Sequence, residues 1–260
     1  MRRVEHVMGF PVSLRIDDER GEGDERDGGD EGDGDDEGGG DGLGAAADAV
    51  FAWLREVDAR FSPFLPQSEV SRYGRGEVAH GALSADLAEV LGLCEEYRAA
   101  TGGAFDVRLP GREFDPCAVV KGWSVQRAAG LLAAAGARRF CLNAGGDVVA
   151  AGGPWRVGIR HPERADQVCA VLAVTDAAVA TSGRYERGDH ILDGRTGRPV
   201  TGLLSLTVLA PTLTEADATA TAAFALGAEG PAWAAARPGC EVFAVDAGRS
   251  VLRTPGLPLA

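Results

Sequence analysis

Residues 17–42 contain nothing but Gly, Asp, Glu and two Arg, and this run limits how the rest of the chain can fold. It has no apolar side chain to bury, so it cannot offset the entropy of ordering. We read it as a disordered acidic loop insert. Patterned sequence resumes directly on both sides, which makes it an enlarged loop inside one domain rather than a linker between two. A calcium loop is the other use for so many acids, but they follow no EF-hand spacing. The insert also accounts for the charge. The chain carries −13, and 17–42, with 14 acids and 2 Arg, holds −12 of it. The remainder has 25 acids and 24 bases, so the folded body is nearly neutral. The acidity therefore describes one loop and says nothing about partners. No nucleic-acid partner is expected.

Five cysteines, Cys94, Cys117, Cys141, Cys169 and Cys240, are scattered, odd in number and without a CxxC pair. That argues against a disulfide framework or a zinc site and for small apolar residues in a reducing compartment. MRRVEHVMGFPV lacks the apolar core of a signal peptide, and no apolar run reaches the ~20 residues of a membrane span. The expectation is a cytoplasmic chain with no integral membrane segment.

Glu5–Ile16 alternates like a strand. Leu43–Arg60 and Ser84–Ala100 carry apolar residues at helical spacing, and Gly122–Ala135 is a third helix. Phe61–Arg72, with two prolines, reads as irregular. The middle is strand-rich: 139–143, 147–151, 155–160, 168–175 and 178–181 are short and separated by Gly, Pro or Asp. Leu203–Ala210 is the clearest strand, Glu215–Leu226 a fourth helix, and 240–245 with 250–252 a closing hairpin. Helices and strands mix without a βαβ rhythm, which predicts one α+β domain over 1–260 and not a doubly wound sheet.

Three stretches could carry chemistry. Asp217 and Thr221 are four apart on a predicted helix, so they share a face. A carboxylate and a hydroxyl there suit a hard cation such as Mg²⁺. The plainer reading is an N-terminal helical turn, where Thr214, Glu215 and Asp217 suit capping and the helix dipole. TGGAFD, Thr101–Asp106, has a glycine pair that lets a ligand approach the backbone, or that merely ends a helix. Asp189–Val200, DHILDGRTGRPV, holds His190, a general base by its ordinary pKa, with Asp193 close enough in sequence to orient it or take a proton itself. No dinucleotide fingerprint and no P-loop is present. Lys121 is the one lysine among 26 basic residues, the rest being Arg. A chain that otherwise uses only arginine keeps a compact ammonium there, which suggests a task that a planar fork does not fill.

In this order the segments resemble the ApbE family, the FAD:protein FMN transferases. The resemblance runs from Met8-Gly9 through Phe61-Ser62, Ser68–Arg72, TGGAFD, Asp115 to Lys121-Gly122, and Asn143–Asp147. It continues through Trp155–Pro162, Thr181-Ser182-Gly183 with Tyr185-Glu186-Arg187, His190–Val200, and Ala216-Asp217 with Thr221. Each piece is weak alone; their joint order over more than two hundred residues is specific. The resemblance implies a single ApbE-like domain of mixed short strands and helices. It implies splitting of FAD: a Thr or Ser of an acceptor protein carrying an FMN-binding domain attacks the FMN phosphate and AMP leaves.

By the same resemblance Asp217, Thr221 and the Ala118 carbonyl match Mg²⁺ ligands. Met8, Phe64, Ala104, Phe105, Asp106, Lys121 and Ile191 match FAD contacts, and His190 matches the residue that activates the acceptor hydroxyl. The chain departs from the family with Phe10 where Thr is usual, Gly194 where Pro is frequent, and DPCAVV at 115–120 in place of a glycine-rich run. An FAD pyrophosphatase giving FMN and AMP, or a non-catalytic FAD-binding protein, would use the same residues.

Overall fold

The computed structural model describes residues 1–17, 38–109, 111–184 and 191–260, with the side chains of 38–41 left aside. Most of the predicted insert and His190 therefore lie outside the described residues. The predicted first strand is two: β1 (Arg2–Val7) and β2 (Phe10–Ile16) pair antiparallel. Met8 and Gly9 turn the chain between them at φ +57° and +81°. Positive φ at both central residues matches the right-handed twist of a two-residue hairpin. Alternation alone does not reveal such a turn, because Met is an unusual residue for it.

Helix α1 spans Gly38–Phe61. It takes in residues 38–42, which composition had assigned to the insert. Helix propagation adds one hydrogen bond per residue fixed, so a strong Ala-rich nucleus carries poor formers along. Val50, Phe51, Leu54 and Val57 are its fully buried stripe. The stretch read as irregular contains α2 (Glu69–Gly74), started by Ser68, whose side chain accepts the Ser71 N–H at 3.0 Å. Helix α3 (Ala85–Ala100) is capped the same way by Ser84. Helix α4 runs Cys117–Ala134, five residues earlier than the apolar pattern indicated. The Asp115 carboxylate accepts the Cys117 N–H at 2.9 Å and so starts it.

The strands that follow fall close to prediction: β3 (Phe140–Ala144), β4 (Asp147–Ala151), β5 (Trp155–Arg160), β6 (Val168–Val174) and β7 (Ala177–Gly183). A two-residue ladder, β8 (Leu192–Asp193) with β9 (Arg198–Pro199), closes the Gly-Arg-Thr-Gly turn. Then come β10 (Leu203–Ala210), α5 (Leu213–Ala225), a short α6 (Gly230–Ala235) that the sequence had not revealed, β11 (Glu241–Asp246) and β12 (Val251–Arg253).

Eight strands form one antiparallel sheet in the order β1-β2-β3-β4-β7-β10-β11-β12, and β5-β6 form a separate pair. Helices α1, α4 and α5 cover one face through a core that includes Leu14, Leu54, Leu132, Leu206 and Phe224. The β5-β6 pair covers the other through Trp155, Ile159, Leu172, Val179 and Phe243. A third cluster, with Phe61, Val90, Trp123, Phe105 and Phe114, joins α1, α3 and α4 beyond the sheet. The arrangement is α+β, as the sequence indicated. None of the five cysteines is in a disulfide. Burial pushes the Cys94 thiol up to about 12, which suits an inert apolar filler.

Candidate functional site

A cleft of about 990 Å³ opens where the hairpin turn after β1, the N-terminal end of α4, the ends of β4 and β7, and α5 converge. Its inner wall depends on how closely α4 and α5 approach. A Cβ at Gly122 would lie 2.5 Å from the Leu213 carbonyl oxygen and 2.7 Å from Asp217 Cβ, so only glycine lets the helices meet there. The Gln126 side chain on α4 accepts the Leu213 N–H at 2.7 Å, and Thr212 accepts the Glu215 N–H at 3.2 Å. These bonds satisfy orphan donors of α5. Thr212 is the cap, so Asp217 lies past the capping turn. The plainer reading of Asp217 as part of a helix start is thereby set aside.

Asp217 is buried, and its Oδ2 accepts the Gly122 N–H at 2.8 Å. A regular helix sends that N–H to the Ala118 carbonyl. The carboxylate competes for it, and Ala118 lines the same cleft. Thr221 also lines it, its Oγ1 3.1 Å from Ser182 Oγ. Asp217, Thr221 and the Ala118 carbonyl thus offer hard oxygen donors from two facing helices. That donor set fits a Mg²⁺-sized cation that keeps water or phosphate in its other positions. It is a mixed set. Among the described residues there is no cluster of three His, Cys, Asp or Glu able to hold a metal.

Lys121 follows Ala118 by three residues and enters the same space. Its Nζ is 2.7 Å from Asp147 Oδ2 and stands 5.3 Å from the centre of the Phe10 ring. Asp147 is buried at the start of β4, and its other oxygen accepts the Thr181 N–H at 3.1 Å. Asp147, Ser182 and Phe10 all line the cleft. Sequence reasoning gave none of the three a role. The signal for Asp147 was there to find: a carboxylate at an inward position of an otherwise apolar strand, DVVAA, has to be paired.

The outer lip is made of turns. Thr101 organises TGGAFD: its Oγ1 donates to the Tyr97 carbonyl at 2.8 Å and accepts the Phe105 N–H at 3.0 Å. Gly102 and Gly103 follow at φ +58° and +85°. Phe105 and Asp106 line the cleft, whereas Ala104 is fully buried behind it and its carbonyl accepts the Gly194 N–H at 2.8 Å. Ile191 and Leu192 close this side. Met8, held at positive φ, and Phe64, 79% exposed, line it at either end.

Asp193 is not among the lining residues. Its carboxylate is closed on Arg195, with Oδ1 2.9 Å from Nε and Oδ2 2.9 Å from Nη2. That bond to the Arg195 side chain is the main cause holding its pKa below the usual carboxylate value. Such a group is a poor proton acceptor. Of the other residues named from the sequence, Met8, Phe64, Phe105, Asp106, Lys121, Ile191, Ala118, Asp217 and Thr221 meet in this one cleft, and His190 lies outside the described residues.

The model of the ApbE family matches residues 8–111 and 107–244. Residues of this chain are 33% identical over 152 positions to an FAD:protein FMN transferase of Salmonella typhimurium, covering 53% of this chain and 43% of that protein. A protein of the same name from Rhodobacter capsulatus is 39% identical over 141 positions, covering 50% and 27%. The matched segment thus spans less than half the length of these curated relatives. One from Haemophilus influenzae is 27% identical over 251 positions, covering 69% and 72%. Among solved structures, the flavin transferase ApbE from Vibrio cholerae superposes with a TM-score of 0.76 at 21% identity, covering 98% of this chain and 96% of that one. The ApbE protein from Thermotoga maritima gives 0.78 at 21% identity, covering 98% of this chain and 97% of that one. At that identity the likeness is one of fold.

Proposed function

Since this chain belongs to the ApbE family, we propose that it is an FAD:protein FMN transferase. It moves FMN from FAD to a Ser or Thr of an acceptor protein with an FMN-binding domain and releases AMP. The observation that supports this most directly is the meeting, in one cleft, of the Asp217–Thr221–Ala118 donor set, the Lys121 ammonium and the TGGAFD segment.

The chemistry is phosphoryl transfer, in which positioning and charge neutralisation supply nearly all the catalysis. The acceptor hydroxyl oxygen forms a bond to the FMN phosphorus. The anhydride bond to the AMP phosphate breaks, and AMP leaves with the electron pair. The hydroxyl proton goes to a base, for which His190 is the candidate; Asp193, held by Arg195, keeps its charge and orients the turn. Lys121 faces the phosphates. Phe105, Asp106, Ile191, Met8 and Phe64 hold the flavin half, with the Ala104 carbonyl fixing the segment behind them. Asp217, Thr221 and Ala118 would hold Mg²⁺, which when bound neutralises phosphate charge.

The test is one incubation of the protein with FAD and Mg²⁺, with and without an FMN-binding-domain acceptor, read by intact mass and nucleotide chromatography. The proposal expects the acceptor to gain the mass of an FMN phosphoester with AMP released, and both to vanish in His190→Ala. Free FMN with AMP and an unmodified acceptor would identify a hydrolase instead. Intact bound FAD and no AMP would leave a flavin-binding protein. No helix of the described residues is long and apolar enough to cross a membrane. A cytoplasmic location remains part of the proposal.

A further inference from the structure

We infer that Asp147 is a positioning residue: it sets where the Lys121 ammonium stands in the cleft, and so governs turnover without touching the ligand. The inference rests on the transferase reading. Asp147 is 2% exposed, and each of its oxygens is committed to a different element. Oδ1 accepts the backbone N–H of Thr181 on β7, which pins the carboxylate to the sheet. Oδ2 pairs with Lys121 Nζ at 2.7 Å on α4. The Phe10 ring stands 5.3 Å away from the same ammonium. A four-carbon lysine stem has more rotamer freedom than almost any other side chain. Here a buried carboxylate anchored to the sheet and an aromatic face fix its tip on the wall of the cleft.

Two effects of removing the carboxylate oppose one another in binding. A freed lysine must be ordered again when a diphosphate arrives, which weakens affinity. Loss of a negative charge beside the phosphates strengthens it. Turnover has no such compensation, because in-line transfer depends on where charge stands within a fraction of an ångström.

The experiment compares wild type, Asp147→Asn, Asp147→Glu, Lys121→Met and the Asp147→Asn/Lys121→Met double variant. Each is measured for FAD affinity, riboflavin affinity, turnover and melting temperature. For Asp147→Asn the inference expects kcat down by about tenfold or more, as loss of a charge-assisted bond implies. FAD affinity should change by less than about threefold while riboflavin affinity holds, the two opposing effects on the diphosphate being of similar size. Asp147→Glu should restore part of the turnover. With Lys121 already gone, Asp147→Asn should cost no further turnover. Unchanged kcat in Asp147→Asn overturns the inference. So does a loss that persists in the Lys121→Met background, or an equal loss of FAD and riboflavin binding, since either would mark Asp147 as a prop for the fold. Wild-type protein that transfers nothing sinks the transferase reading and the inference with it, and is seen in the first lane.

Discussion

A methyl group added at Gly122 or at Gly194 meets a carbonyl oxygen at the same 2.5 Å. The first glycine lies in the inner wall of the cleft, between α4 and α5. The second lies in the outer lip, where the Gly-Arg-Thr-Gly turn docks on TGGAFD. Around Gly122 every contact is helix on helix: Asp217 accepts the Gly122 N–H, Leu213 donates to the Gln126 side chain of α4, and Trp123 and Leu213 are buried. Around Gly194 the contacts are turn on turn, held by one backbone bond to Ala104 and an exposed Asp193–Arg195 pair. The same steric fault therefore tests two materials. Packed helices have nowhere to move, whereas a turn can shift by a few tenths of an ångström. On the proposed reaction, a wall that holds charge has to be rigid, and a lip that would admit a flavin and then an acceptor protein has to give.

The largest effect should come from the wall's chemistry. Asp217→Ala removes the carboxylate from the donor set, and turnover should fall by about 10²–10³-fold, the usual cost of losing one charge-stabilising group. Divalent-cation binding by titration calorimetry should fall with it. An Asp217→Ala protein with wild-type turnover and metal affinity would show that the donor set is not the cation site. Next is Gly122→Ala. Overpacking between helices that cannot separate should cost about 3 kcal/mol, seen as a melting temperature lower by about 10 °C. Third is Gly194→Ala, whose added methyl meets a carbonyl oxygen at the same 2.5 Å. It should cost about 1 kcal/mol, the low end of the overpacking range. Equal losses at the two glycines, measured by urea unfolding, would abolish the distinction between wall and lip.

The wall was the less legible of the two from sequence, although it contains the simpler elements. Asp217 and Thr221 could be placed on one helical face by counting. What faces that helix could not, because Gly122 in KGW looks like a weak point of a helix until α5 is laid against it. Asp147 was quoted within a motif without a role, since strand periodicity shows that a residue points inward but not what it meets. The lip was legible in outline: the Gly102-Gly103 pair and the Gly-Arg-Thr-Gly turn announce tight reversal, with Gly102, Gly103 and Gly197 at positive φ. Its starting point, the Met8-Gly9 turn, was hidden because one of its two positive-φ positions carries methionine. Early starts of α1 and α4 were missed for another reason. Apolar spacing marks where a helix packs, while a turn such as the one the Asp115 carboxylate closes on the Cys117 N–H marks where it begins. From β3 on, the short β8-β9 ladder aside, the strands were found to within one or two residues because Gly, Pro and Asp bound them. Their order in the sheet was not, since nothing local encodes which of eight antiparallel strands are neighbours.

The smallest predicted effect concerns the lip alone. The Asp193 pKa is lowered in the folded chain, chiefly by the hydrogen bond from the Arg195 side chain, from an ordinary value of 3.8. A carboxyl group whose folded pKa lies below its unfolded one adds stability above the unfolded value. That stability is lost as pH falls through the folded one. The pair is open to solvent at Arg195, so screening keeps its contribution under about 1 kcal/mol. Arg195→Ala should therefore lower stability slightly at pH 5–7, converge on wild type once pH falls below the lowered folded pKa of Asp193, where the carboxyl is protonated in both, and lose its effect in high salt. Urea midpoints across that range would show it. If the lip is as compliant as its construction implies, turnover at pH 7 should barely respond to Arg195→Ala, since the backbone bond from Gly194 to Ala104 still docks the turn. A large drop in turnover with an unchanged midpoint would mean that the Asp193–Arg195 pair acts in the reaction, and that the lip holds chemistry as the wall does.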